Sequence, residues 1–189
     1  MIHDTLEPSA WVLRWAPLIP AGGRVLDLAC GYGRHAKSFA ASGHCVLACD
    51  RDAAALAALD CLAGIETLKL DLEDGRPWPF GATRFAGIVV TNYLYRPVLP
   101  ALADALQPGG ILIYETFMAG NEGYGKPSNP AFLLRPGELY EVFSGLLEVL
   151  AFEQGYAGAP KPAMSQRICA RRGSSSSWGK SSISDKMHG

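Results

Sequence analysis

Several things are missing from this 189-residue chain, and each absence excludes something. The opening stretch MIHDTLEPSAWVLRWAPLIP has no basic region, apolar run or small-residue cleavage site, so no secretory signal is expected. No run approaches the roughly 18 uncharged apolar residues that span a bilayer. The five cysteines (Cys30, Cys45, Cys49, Cys61, Cys169) are odd in number and form neither CxxC nor a Cys/His cluster, which argues against zinc. Cys45 and Cys49 lie four apart in HCVLACD, which reads as a strand with both on one face. Scattered through mostly apolar runs, the cysteines are expected to be buried, reduced thiols of a cytoplasmic protein. An excess of one charge is also lacking. With 17 basic and 18 acidic residues the net charge is −1, so there is no global footprint for nucleic acid as a partner.

What is present is a globular composition, 49% hydrophobic and 19% charged, in a length that suits one domain with its own core. The neutral balance is an average. Residues 1–159 carry −6 and residues 160–189 carry +5. From Gly173 the chain reads GSSSSWGKSSISDKMHG, Ser-rich, nearly without large aliphatics and without period. The expected organisation is a folded domain over residues 1–172 and a disordered tail over 173–189.

Short β-rich runs alternate with helical patterns across the body. RVLDLA (24–29) is an apolar run between glycines and predicts a buried strand. Residues 34–43 predict a helix closed by Gly43. CVLACD (45–50) is a second strand, and Ala-rich 52–63, opened by Asp52, has the highest helix propensity in the chain. IETLKLD (65–71) predicts a third strand near a sheet edge, FAGIVVTN (85–92) a fourth, and ILIYETF (111–117) a fifth. A helix over 97–106 stops at the turn Gln107-Pro108-Gly109-Gly110. Residues 118–134 read as a long polar loop, and Pro136 opens a short helix. The runs 146–154 and 164–172 have no helical period and read as an antiparallel pair. This alternation predicts an α/β, doubly wound, mostly parallel sheet of right-handed βαβ units.

Chemistry concentrates in VLDLACGYGRHA (25–36), where a strand enters a glycine turn and a helix follows at once. Gly31 and Gly33 allow a tight turn and close approach of a ligand, and the free N–H groups at the helix start favour an anionic or polar group. Asp27 lies inside the apolar strand. Asp50 ends the next strand 19 residues after Gly31, where an acid can accept both hydroxyls of a ribose. A nicotinamide-cofactor dehydrogenase is the rival reading. It wants GxGxxG, whereas here the turn is Gly31-Tyr32-Gly33-Arg34-His35-Ala36.

The segments VLDLACGYG, ACDRD, KLDLED, GIVVTNYLY and LQPGGILIYETF, in this order, resemble class I S-adenosylmethionine-dependent methyltransferases. CGYGRHA and NPAFLLRPGEL (129–139) are similar to small bacterial methyltransferase-domain and tellurite-resistance-type proteins. The resemblance implies a Rossmann-like, seven-stranded sheet in the order 3-2-1-4-5-7-6 with strand 7 antiparallel. It implies S-adenosyl-L-methionine as cofactor. Gly31 and Gly33 would pack under its methionine part, with Asp27 and Ala29 beside its amino group. Asp50 would hold the ribose and Arg51 flank the adenine, while Asp71 and the Leu72 backbone would meet the adenine edge. Thr91 and Asn92 would stand where the sulfonium methyl faces substrate.

On the substrate side the candidates are Tyr93, Tyr95, Glu115, Tyr124 and Arg135, with Arg135 suited to an anionic group. Each also has a structural reading: a cofactor cover for the two tyrosines, a satisfied acid for Glu115, a packing anchor for Tyr124, a surface cation for Arg135. No residue stands out as catalytic, and His35 reads as a cap or surface residue. NYLY lacks the (D/N)PP(Y/F/W) pattern of enzymes that methylate base or amide nitrogens. The expected function is in-line methyl transfer to a small-molecule thiol, oxyanion, hydroxyl or amine. A non-catalytic binding module for the cofactor or its product, and an RNA or protein methyltransferase, are the alternatives. The glycines and prolines of 115–130 suit a mobile lid over the pocket.

Overall fold

The structure is a computed structural model that describes residues 7–174; apart from Gly173 and Ser174, the Ser-rich stretch expected to be a tail lies outside the described residues. Seven strands form one sheet: β1 (Arg24–Leu28), β2 (Cys45–Asp50), β3 (Ile65–Lys69), β4 (Phe85–Thr91), β5 (Leu106–Phe117), β6 (Glu148–Ala157) and β7 (Ala163–Arg171). Their order is β3-β2-β1-β4-β5-β7-β6. The first five pair in parallel, and β7 runs antiparallel to both β5 and β6. The order implied by the resemblance and the closing antiparallel pair read from periodicity are both present.

Alternation along the strands divides the core into two layers. Leu26, Leu28, Ile88, Val90, Leu112 and Tyr114 face one side, where α4 (Leu99–Ala105) and α5 (Glu138–Phe143) pack. Val25, Val46, Ala48, Val89, Ile111 and Ile113 face the other, covered by α1 (Ala10–Trp15), α2 (Arg34–Ala41) and α3 (Ala53–Ala57). Strand β4 is central and buried at every position, whereas β3 and β6 are the edges.

Three local expectations are corrected. The Ala-rich segment forms only the five-residue α3, although the Asp52 carboxylate caps it as predicted, accepting from Ala54 and Ala55 N–H. Its continuation tightens through Leu59 N–H to Leu56 C=O (2.8 Å) and leaves the helix at Cys61, φ 70°. Burying Leu59 and returning the chain to β3 overrides propensity here. Next, the Pro108-Gly109-Gly110 turn is part of β5, because Gly109 N–H bonds to Arg172 C=O and Arg172 N–H to Gly110 C=O. Finally, of the five cysteines, all free thiols, Cys45 and Cys61 are exposed rather than buried.

Helix α1 is an element for which the sequence reading made no provision. Ser9 caps it, Trp11 and Val12 enter the core, and the Trp11 indole N–H reaches Ile168 C=O at 3.4 Å. Among the described residues no helix is long and apolar enough to cross a membrane.

Candidate active site

The carboxyl ends of β1, β2, β4 and β5 open into one cleft of about 710 Å³, a size suited to a small organic ligand. One wall begins at the glycine turn. Ala29 (φ 55°) and Gly31 (φ 54°) are both left-handed, so the chain leaves β1 sharply and lays its backbone along the cleft floor. A left-handed alanine is unfavourable and is held here by the Cys30 N–H bond to Cys49 C=O (3.0 Å). Asn92 (φ 55°) repeats the device at the end of β4, where its N–H bonds to Glu115 C=O at 2.9 Å.

Asp50 stabilises the turn from β2. One carboxylate oxygen accepts Gly31 N–H at 2.8 Å and the other Asp52 N–H at 2.9 Å. Each oxygen keeps a second lone pair, so Asp50 remains able to accept ligand hydroxyls. Asp71 uses one oxygen on Glu73 N–H (2.9 Å) and also faces the cleft. Beneath the turn, Asp27 is 1% exposed, and its carboxylate accepts Ala36 N–H at 2.9 Å. Burial pushes its pKa up to about 7, while the Ala36 hydrogen bond and the Arg34 charge pull the other way. His35, expected to cap or face solvent, is buried at the start of α2 and accepts Ser9 N–H on Nε2 at 3.1 Å. Burial first, and Arg34 second, lower its pKa to about 3, so the ring is neutral.

Of the ten expected cofactor residues, Ala29, Gly31, Asp50, Arg51, Asp71, Leu72, Thr91 and Asn92 line the cleft together. Asp27 and Gly33 do not. Asp27 supports the turn from below. Gly33 is the left-handed N-cap of α2 (φ 69°), and a Cβ there would lie 2.5 Å from the Leu59 side chain. Its lack of a side chain allows α2 to start close against Leu59.

Of the substrate candidates, Tyr93 lines the cleft, and its hydroxyl pKa is raised by burial and then by the Glu73 carboxylate beside it. Tyr95 faces a neighbouring hollow that shares Asp71 and Leu72 as its wall. The other three lie elsewhere. Glu115 forms an ion pair with Arg167 (2.9 Å) across the β5–β7 ladder. Tyr124 packs on Tyr156 with ring centroids 5.4 Å apart. Arg135 reaches Glu138 (3.6 Å) and Glu141 (3.4 Å) at the surface.

Sequence reasoning missed several wall residues. Cys30 and Cys49 face the cleft as buried thiols, and burial raises both pKa values, so they are neutral and unreactive. Arg34 also lines it. The segment 118–134 contributes Lys126, Pro127, Ser128, Asn129 and Phe132, and hydrogen bonds tie it to the body of the domain. A bridge between Met118 and Leu134 closes its base. Asn121, 2% exposed, donates to Pro127 C=O (2.9 Å) and accepts Met164 N–H (3.2 Å). Arg96 donates to Ala131 and Leu133 carbonyls, each at 2.9 Å, and to both oxygens of buried Glu138 at 2.6 and 3.1 Å. Burial opposes the Glu138 charge, but Arg96 and the Arg135 N–H outweigh it and hold the carboxyl below its ordinary value. The signal in the sequence was only the pairing of Arg96 with Glu138 across 42 residues, which no spacing rule reveals.

The cleft fits a nucleoside bearing an amino-acid tail: acids at two strand ends, exposed turn backbone beside Gly31, and room for both parts. Residues 25–110 match the family described as "Methyltransferase domain". Comparison with curated protein sequences finds no match. Among solved structures, TehB from Haemophilus influenzae superposes with a TM-score of 0.72 at 21% identity, over 90% of this chain and 64% of that one. The chain thus spans less than two thirds of that protein. A TehB-like SAM-dependent methyltransferase from Corynebacterium glutamicum gives 0.63 at 21% identity, over 86% of each chain. An S-adenosylmethionine-dependent methyltransferase from Mesorhizobium loti gives 0.68 at 17% identity, over 88% of this chain and all of that one. At such identities the likeness establishes the fold, and the family match covers residues 25–110. Residues 25–110 thus match a methyltransferase-domain family, and the described chain has the seven-stranded fold of solved S-adenosylmethionine-dependent methyltransferases.

Proposed function

We propose that the domain transfers the methyl group of S-adenosylmethionine to a small-molecule nucleophile. The observation that carries this reading is the Gly31 turn tied to Asp50 (2.8 Å) at the floor of a cleft roofed by the lid. Asp50 holds the ribose hydroxyls. Asp71 and the Leu72 backbone hold the adenine edge beside Arg51, and the turn backbone from Ala29 to Gly31 receives the methionine part. Asp27 acts on that part through the turn rather than by contact. Thr91, Asn92 and Tyr93 form the floor between cofactor and acceptor.

The cofactor supplies a methyl group activated on a sulfonium, with a neutral thioether as leaving group. The chain has to align the acceptor behind that methyl and exclude water, a contribution of about 7–11 kcal/mol in well-oriented systems. A thiolate or oxyanion acceptor needs no base. The small cleft and the lid fastened over it support a small acceptor rather than a macromolecule, and the free thiols are compatible with a reducing, cytoplasmic compartment.

Titration calorimetry with S-adenosylmethionine and NAD tests the reading. The first should bind and the second should not; the reverse result overturns it. Asp50→Ala should weaken S-adenosylmethionine by about 1–3 kcal/mol through loss of charged hydrogen bonds to the ribose. Unchanged affinity removes Asp50 from the cofactor site.

A further inference from the structure

The lid side of the cleft has groups that the cofactor does not use. Thr116, near the end of β5, lines the cleft and is 2% exposed, yet its hydroxyl has no hydrogen-bond partner among the described residues. Its ladder neighbour Gln166 bonds elsewhere, accepting Leu139 N–H (3.1 Å) and donating to Arg135 C=O. The rest of the side chain is buried, and the hydroxyl, free of partners among these residues, is available to a ligand in the cleft. Facing the same space is Lys126. Among the described lining residues of β4, β5 and the lid, namely 91–94, 116–117, 126–129 and 132, it is the one charged side chain. The Asn121 bond to Pro127 C=O and the Arg96 bonds to Ala131 and Leu133 fix the lid backbone on both sides of the segment that faces the cleft. The remaining lining there is apolar or aromatic: Tyr93, Leu94, Phe117, Pro127 and Phe132, the last 49% exposed at the mouth.

We propose that this end of the cleft is a carboxylate subsite for the methyl acceptor: Lys126 and Thr116 hold the carboxylate of an aromatic or apolar acid whose body rests on Phe117 and Phe132. The inference rests on the methyltransferase reading and adds the acceptor's class to it. It also moves the anion-binding role from Arg135, which Glu138 and Glu141 engage at the surface, to Lys126. An ammonium and a hydroxyl together give a carboxylate two charge-assisted hydrogen bonds, while the aromatic wall selects the body. The methionine carboxylate of the cofactor has the same chemistry, so the test must tell the two apart.

Calorimetry on the full chain saturated with S-adenosylhomocysteine, at constant ionic strength, would compare benzoate, phenylacetate and 3-phenylpropionate with their primary amides. At least one carboxylate should bind about tenfold or more tightly than its amide. Lys126→Gln should erase that preference, Lys126→Arg should keep it, and Thr116→Val should weaken the carboxylate several-fold. S-adenosylhomocysteine affinity should stay within about twofold in all three variants. No carboxylate preference in the parent chain, or a preference that survives Lys126→Gln, overturns the subsite. So does a tenfold loss of S-adenosylhomocysteine affinity in Lys126→Gln with carboxylate binding intact, which would assign Lys126 to the cofactor. A parent chain that binds neither S-adenosylmethionine nor S-adenosylhomocysteine overturns the methyltransferase reading and the subsite with it, whereas normal cofactor binding without the carboxylate effects removes the subsite alone.

Discussion

On the β1–β2 side the cleft wall is main chain held in unusual conformations; on the β5 and lid side it is side chains and loop backbone held by buried polar ties. Ala29 and Gly31 turn left-handed within three residues, and Asp50 and Asp27 receive the N–H groups that this turn and the following helix leave unpaired. Across the cleft, Arg96 spans from the turn before α4 to Glu138 and two lid carbonyls, and Asn121 joins the lid to β7. The first wall is local in sequence apart from one carboxylate. The second is assembled from four separated segments. A site built this way fixes the common cofactor with short-range backbone geometry and leaves acceptor choice to long-range contacts.

Gly33→Ala attacks the first wall most directly. The left-handed backbone and the 2.5 Å approach to Leu59 add a conformational and a packing cost, together roughly 2–5 kcal/mol. Urea unfolding should show this loss, and a loss below about 0.5 kcal/mol would mean that the turn is not set by packing on Leu59.

Arg96→Met attacks the second. It strands Glu138, whose side chain is 4% exposed, and frees two lid carbonyls. We expect about 3 kcal/mol, the lower end for a broken buried pair because Arg96 itself is 40% exposed. The double variant Arg96→Met/Glu138→Gln should recover part of it. Greater proteolysis within 118–134 in Arg96→Met, with S-adenosylmethionine affinity little changed, would confirm that the walls are separable; equal loss of cofactor binding would show that they are one unit.

A smaller effect appears in the pH dependence of the first wall. The Asp27 pKa rises from 3.8 to about 7 on folding, so its contribution to stability is present at low pH and lost as pH rises through that window. The His35 pKa falls from 6.5 to about 3, so its contribution is present above 6.5 and lost as pH falls toward 3. Between about pH 4 and 6.5 the slopes oppose, each at most about 1.4 kcal/mol per pH unit. The parent chain should be nearly flat there. Asp27→Asn should become less stable as pH falls, and His35→Gln more stable. Parallel slopes in the two variants would refute the assignment of these groups as an opposed pair.

The sequence made the first wall legible because strand periodicity, the glycine turn and the 19-residue step to Asp50 are all short-range signals; eight of the ten expected cofactor residues line the cleft together. Gly33 lies outside the cleft lining, and the sequence did not reveal its close packing on Leu59, because a glycine for ligand approach and a glycine for packing look alike in a string of letters. Glu115, Tyr124 and Arg135 lie outside the cleft lining for a related reason. Their partners Arg167, Tyr156 and Glu138 are fixed by strand register and loop closure, not by spacing.

Charge balance, the α/β alternation, the antiparallel closing pair and the chemistry of the glycine turn were determined by the order of residues alone. That holds because hydrophobic period and backbone conformational preference act within a few positions. Tertiary structure alone decided that the Ala-rich helix stops after five residues, that Asp27 and His35 are both buried, and that Lys126 rather than Arg135 faces the cleft. Those outcomes depend on burial and on partners tens of residues away, where packing and the need to satisfy buried polar groups outweigh local preference.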